Sequence, residues 1–185
     1  MRILTRSRQI RKALRALRAR VPAKDWQTIS AFLSRVRAET AWRISGIGEA
    51  IDPISAALQP LYTLNPWILC GAEIVFVLPI YRLYTDSGMI GVAAHEFAHA
   101  LRAARHDDDW PEKMGERQLT PAAIRKYEAE ERRANAIASS WDFRAQIRAM
   151  REERGKFVNP YIRSHEIQIR RHIQQRDGYL LSPGP

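Results

Sequence analysis

The sequence predicts an α+β fold, mostly helical with one small β-sheet, and three observations carry that prediction. Apolar residues recur at spacings of three and four in several stretches, including Ile10, Leu14 and Leu17. One short run, Ala72-Glu-Ile-Val-Phe-Val-Leu78, is instead β-branched and aromatic, and Pro79 closes it. Beyond that run the pattern is helical again, with no internal repeat or low-complexity tract.

The elements follow in order. Ile3, Ile10, Leu14 and Leu17 at helical spacing, among Arg6, Arg8, Arg11, Arg15 and Arg18, predict a basic amphipathic helix. Three readings of it stand side by side: a helix packed on the domain with a solvated basic face, a surface for nucleic acid or an anionic membrane, and an organelle-targeting segment. Pro22 interrupts, and Trp26, Ile29, Phe32, Leu33 and Val36 predict a second helix from Ala23 to Trp42. Gly46, Gly48, Pro53, Pro60 and Pro66 mark residues 45–66 as loop, with a short helix near Ile54 to Leu58. The strand at Ala72–Leu78 comes next, then capping residues in Thr85-Asp-Ser-Gly88 before another helix. His106-Asp-Asp-Asp-Trp-Pro111 reads as an acidic turn. Thr120-Pro121 opens a long helix running to about Arg154, where Gly155 stops it, and Asn159-Pro160 starts a last helix before a frayed tail.

At 185 residues the length suits one domain: a basic N-terminal helical segment over 1–44, a core over 45–154, and a C-terminal helix and tail over 155–185. Cys70 is the sole cysteine, which excludes an intrachain disulfide and a multi-thiolate metal site and fits a reducing, cytoplasmic compartment. Cys70 itself reads as a small core residue. No apolar run is long enough for a transmembrane segment, and no signal-peptide pattern opens the sequence. The net charge of +10 permits attraction to nucleic acid or an anionic surface.

The chemistry concentrates in Gly91-Val-Ala-Ala-His-Glu-Phe-Ala-His-Ala-Leu101. His95 and His99 are four apart, so on a helix both imidazoles point to one side and can share a metal ion. Glu96 is displaced around the helix, off the metal and beside the water it would activate, as a general base requires. The neighbours Val92, Ala93, Ala94, Phe97, Ala98, Ala100 and Leu101 are uncharged, which predicts a buried helix.

A catalytic zinc usually takes three protein ligands. His106 lies seven residues beyond His99, about 10 Å further along a continuing helix. On the long helix, Ile124, Tyr127, Glu131, Ala134, Ala138 and Trp141 form an inward stripe, with Glu131 its one carboxylate, Glu128 at the margin and Glu130 turned further away. A carboxylate on an apolar face needs a partner, and Zn2+ supplies one. Glu131 is therefore the expected third ligand, with His106, Glu128 and His165 as alternatives.

His95-Glu-Phe-Ala-His99 followed by Glu131-Arg-Arg-Ala-Asn-Ala-Ile-Ala138 resembles the gluzincin metallopeptidases, most of all the small ImmA/IrrE-like group. The resemblance covers about Ala72 to Trp141. It implies a compact zincin fold, zinc on His95, His99 and Glu131, Glu96 as catalytic base, and a protein or peptide substrate. Arg133 stands where that group often has an acid, and Ser139-Ser-Trp-Asp142 replaces an apolar segment. His106-Asp-Asp-Asp-Trp110 also resembles the SprT-type zincins, which act near DNA, although Asp107 replaces a glycine and the cysteine-rich ribbon is missing.

The expected function is thus zinc-dependent peptide hydrolysis, in which a strand edge next to the helix aligns an extended peptide by main-chain pairing. The alternatives are a DNA-associated metalloprotease and a non-catalytic zinc-binding regulator. Tyr161, Arg163, His165 and His172 are candidate oxyanion donors, with His165 also fitting a plain amphipathic stripe with Ile162, Ile169 and Ile173.

Overall fold

Strands and helices account for most of the residues described by the computed structural model, which are 1–40, 56–62, 69–78, 80–105 and 121–156. The chain opens with β1 (Arg2–Leu4), so Ile3 belongs to a short, exposed strand rather than to the first helix. Helix α1 (Arg8–Arg20) is capped by Ser7, whose hydroxyl accepts from the Ile10 amide. Ile10, Leu14 and Leu17 are buried as their spacing predicts. Helix α2 (Ala23–Phe32) follows, and the chain then enters β2 (Leu33–Thr40).

The helix expected to reach Trp42 therefore ends ten residues early, for a physical reason. Leu33 and Val36 are three apart, which mimics a helical stripe. In the sheet an irregularity between Leu33 and Arg35 absorbs one residue, so both side chains still face inward. Arg35 and Arg37 alternate to the other side and both meet Glu73 of β4. Within the loop expected over residues 45–66, Ala56–Tyr62 form β3, so Ala56 to Leu58 are strand and not the expected short helix; residues 45–55 and 63–66 lie outside the described residues. Pro60 is tolerated because β3 lies at the edge of the sheet. The predicted strand is present and longer, as β4 (Leu69–Leu78).

The sheet order is β1-β2-β4-β3, with β2 parallel to β1 and β4, and β3 antiparallel to β4. The pairs Leu33–Ala72, Val36–Ile74 and Ala38–Phe76 are in register, and all six residues belong to or pack against the main core. That core continues through Ile10, Leu14 and Leu17 of α1 and Phe97 and Leu101 of the next helix. Residues 1–40 thus share one sheet and one core with the rest of the described chain.

A 3-10 turn (Ile80–Leu83) leads to α3 (Asp86–Ala104). Thr85 is its N-cap, accepting from the Gly88 amide at 3.2 Å. Helix α4 (Pro121–Ala138) begins at the expected proline. The single long helix expected from there is broken at Ser139–Phe143, where Asp142 takes a left-handed φ of 66°, a conformation that aspartate tolerates better than most residues. Trp141 and Phe143 are both buried although two positions apart, which a straight helix would place on nearly opposite sides. The kink turns both inward, and Trp141 Nε1 donates to Asp25 Oδ2 at 2.9 Å. The helix resumes as α5 over 144–156, passing Gly155 without ending there.

Two contacts lock α5 to α3. A Cβ on Gly91 would collide with the Gln146 backbone carbonyl, so only glycine allows the two helices to cross this closely. Glu153 accepts from the Thr85 amide at 2.9 Å and the Thr85 hydroxyl at 2.6 Å, which places a carboxylate at the positive end of α3. Among the described residues, no helix is long and apolar enough to cross a membrane. The expectations at His106–Pro111 and over 159–185 lie outside the described residues.

Candidate metal centre

Helix α3 is buried along most of its length, which fixes the side chains of its central turn. Its flank opposite the histidines is apolar: Phe97 lies about 200° around the helix from His95 and stacks on Trp26 of α2, ring centroids 5.7 Å apart. On the histidine side, α4 packs alongside. His95, His99 and Glu131 meet there, with one donor atom from each lying within 4.8 Å of the others. His95 Nε2 and His99 Nε2 are 3.1 Å apart. His95 Nε2 lies 3.1 Å from Glu131 Oε2, and His99 Nε2 lies 3.4 Å from Glu131 Oε1.

These separations can be compared with a metal's requirements. A tetrahedral zinc with ligands at 2.0–2.1 Å holds each donor pair about 3.3 Å apart. Two imidazoles and a carboxylate are also a donor set suited to a divalent transition ion. The residues present therefore fit a metal ion in both spacing and chemistry.

An outer partner orients the first histidine. His95 Nδ1 lies 3.0 Å from Asn135 Oδ1, and because that oxygen only accepts, Nδ1 carries the proton and Nε2 keeps its lone pair toward the cluster. Asn135 is a functional residue that the sequence reading does not assign. The available signal was its position four residues after Glu131, on the same side of α4. Asn135 is held in turn by its own turn of helix, with Ser139 Oγ donating to its carbonyl at 2.7 Å.

Metal-free electrostatics bind the cluster together. Burial alone would raise the Glu131 pKa, but hydrogen bonds and charge from His95 and His99 outweigh it and hold the carboxyl well below the usual range. Burial would lower that of His95, yet Glu131 and Glu96 raise it on balance. Glu96 is itself buried, and burial is the main reason its carboxyl is pushed up; the charges of His95, His99 and Arg154 work against that rise, and that of Glu131 adds to it.

The other residues singled out in the sequence fall elsewhere. Glu128 is exposed and lies 3.7 Å from Arg132. Glu130, further around α4 than Glu131, stays out of the cluster: it accepts from Arg102 of α3 at 2.9 Å and also pairs with Arg133. Arg102 is buried, so this carboxylate serves a cation beside the site. Ala134, Ala138 and Trp141 of the predicted stripe are buried. His106, Tyr161, Arg163, His165 and His172 lie outside the described residues. The strand that feeds α3 is also not the edge one: β4 lies between β2 and β3, and β3 is the edge strand that packs against α3. Comparisons with family models, with curated proteins and with solved structures give no match for this chain, so the centre is read from its own residues.

Proposed function

We propose that the protein is a zinc-dependent metallopeptidase, with His95, His99 and Glu131 as zinc ligands and Glu96 as general base. The observation that carries this reading is the convergence of two imidazoles and one carboxylate at tetrahedral donor spacing, with a buried glutamate next in sequence to the first histidine. When bound, zinc would acidify an attacking water and polarise the scissile carbonyl. Glu96 takes the proton from that water and returns it to the leaving amine. Asn135 keeps His95 in the tautomer that presents Nε2.

Edge strand β3 is antiparallel to β4, meets α3, and has one main-chain edge without a partner strand among the described residues. Such an edge can take an extended peptide by main-chain pairing, so a protein or peptide segment is the substrate class proposed.

The test is zinc content by elemental analysis together with hydrolysis of an unfolded protein, on the native chain and on Glu96→Gln. About one zinc per chain is expected in both, with hydrolysis reduced by roughly 10²–10⁴-fold in the variant. Zinc in both with unchanged hydrolysis would remove Glu96 as the base. Zinc without hydrolysis in the native chain would leave a structural or regulatory centre in place of an enzyme.

A further inference from the structure

Behind the metal helix, on the side of Trp26 and Phe97, the surface carries a different feature. A groove of about 650 Å³ is lined by Arg6, Arg8, Arg11, Arg15, Arg18 and Trp26, and the rest of its lining is apolar. All five arginines are exposed, and among the described residues none of them meets a carboxylate. The other two cations of α1 behave differently: Lys12 pairs with Asp86, and Arg20 reaches Asp142 and lies over the Phe143 ring. The helix thus separates cations that fasten it to the domain from a row with no acid opposite it among the described residues. Two of that row are held in place without being neutralised, since Arg11 Nε donates to the Thr5 carbonyl at 2.9 Å and Arg18 lies 5.1 Å over the Trp26 ring.

We infer that this groove binds the phosphate backbone of a nucleic acid. Arg8, Arg11, Arg15 and Arg18 recur at spacings of three and four and extend about 15 Å along α1. That length matches about four base steps at 3.4 Å per phosphate on each strand. An anionic membrane fits less well. An interfacial helix needs a free apolar side to insert, whereas Ile10, Leu14 and Leu17 are already buried in the core. Base stacking is not part of the inference, because Trp26 has Phe97 against it and Arg18 over its ring. Binding is therefore electrostatic and indifferent to sequence.

The test titrates the full chain against a labelled DNA duplex, its single strand and an RNA of the same sequence, following fluorescence anisotropy at several salt concentrations. It needs neither metal nor hydrolysis, so it stands or falls apart from the peptidase reading. With about four phosphates neutralised, affinity falls on the order of 100-fold between about 50 and 200 mM salt. The triple variant Arg6→Gln, Arg8→Gln, Arg15→Gln weakens binding by more than about tenfold and flattens the salt slope by up to about 2.7. A charge-matched control, Arg144→Gln, Arg148→Gln, Arg151→Gln on exposed positions of α5, binds like the native chain. Equal loss in both triples would mean diffuse attraction by net charge, and the groove would be discarded. Binding to phosphatidylserine vesicles with none to any nucleic acid would overturn the inference in favour of a membrane surface.

Discussion

Glu73 and Glu131 are two poorly exposed carboxylates that each face two basic side chains, and the comparison separates structure from chemistry. Glu73, on the central strand β4, is held by Arg35 and Arg37 of β2. Glu131, on α4, is held by His95 and His99 of α3. In both, burial alone would raise the carboxyl pKa, and the basic partners reverse that and lower it. The difference lies in the partners. A guanidinium has only donors and keeps its charge, so the Glu73 cluster is complete as it stands. A neutral imidazole presents a lone pair, so the Glu131 cluster can exchange a proton for a metal ion.

The largest effect expected from breaking this comparison is on metal binding. Glu131→Gln should lower zinc affinity by more than about 100-fold, beyond the loss typical of an outer-shell partner. Glu73→Gln should leave it unchanged, as measured by competition with a chromophoric chelator. An equal loss in both would mean that the Glu131 effect is one of general stability.

Asn135→Ala sharpens the same contrast at smaller magnitude. It removes the acceptor that fixes His95 while leaving all three proposed ligands in the sequence, and zinc affinity should fall about 10–100-fold. Asn135→Asp keeps the acceptor and should recover most of that loss. If the aspartate variant binds no better than the alanine one, the tautomer argument fails.

The smallest effect belongs to Glu73 and acid stability. Because its folded pKa is lowered, its ion pairs contribute stability above the usual value of 4.5, and that contribution disappears as pH falls through the folded value. At neutral pH, Glu73→Gln should cost about 1.5–3 kcal/mol, the range for hydrogen bonds to charged groups. The gap between native and variant should close in urea melts carried below the usual carboxylate range. A gap that stayed constant with pH would locate the cost in packing.

How much was legible beforehand follows from which forces are local. The histidine pair, the Thr85 cap, the strand at Ala72–Leu78 and the inward residues of α1 are short-range patterns, set by helix and strand periodicity. The strand β2 was hidden because Leu33 and Val36 keep helical spacing, and only pairing with β4 supplies the irregularity that lets them share a face. The kink at Asp142 was hidden because each half of that helix is regular. Its cause is the demand that Trp141 and Phe143 both enter the core. The partner of Glu130 is not legible in the sequence, because helix position alone does not reveal Arg102 on the facing helix.

What the sequence determined by itself was chemistry at fixed spacing: two imidazoles on one side of a helix, a glutamate beside them, a carboxylate on a later helix, and arginines recurring near the start. These depend on 3.6 residues per turn and little else. What the tertiary structure decided was which of these groups meet. It set Glu131 within reach of both histidines, put Asn135 behind one of them, completed Glu73 with two arginines, and left five arginines of the N-terminal region without acids among the described residues. Contacts between residues far apart in the chain are fixed by the packing of whole elements, and a local pattern carries no record of the element that will lie opposite it.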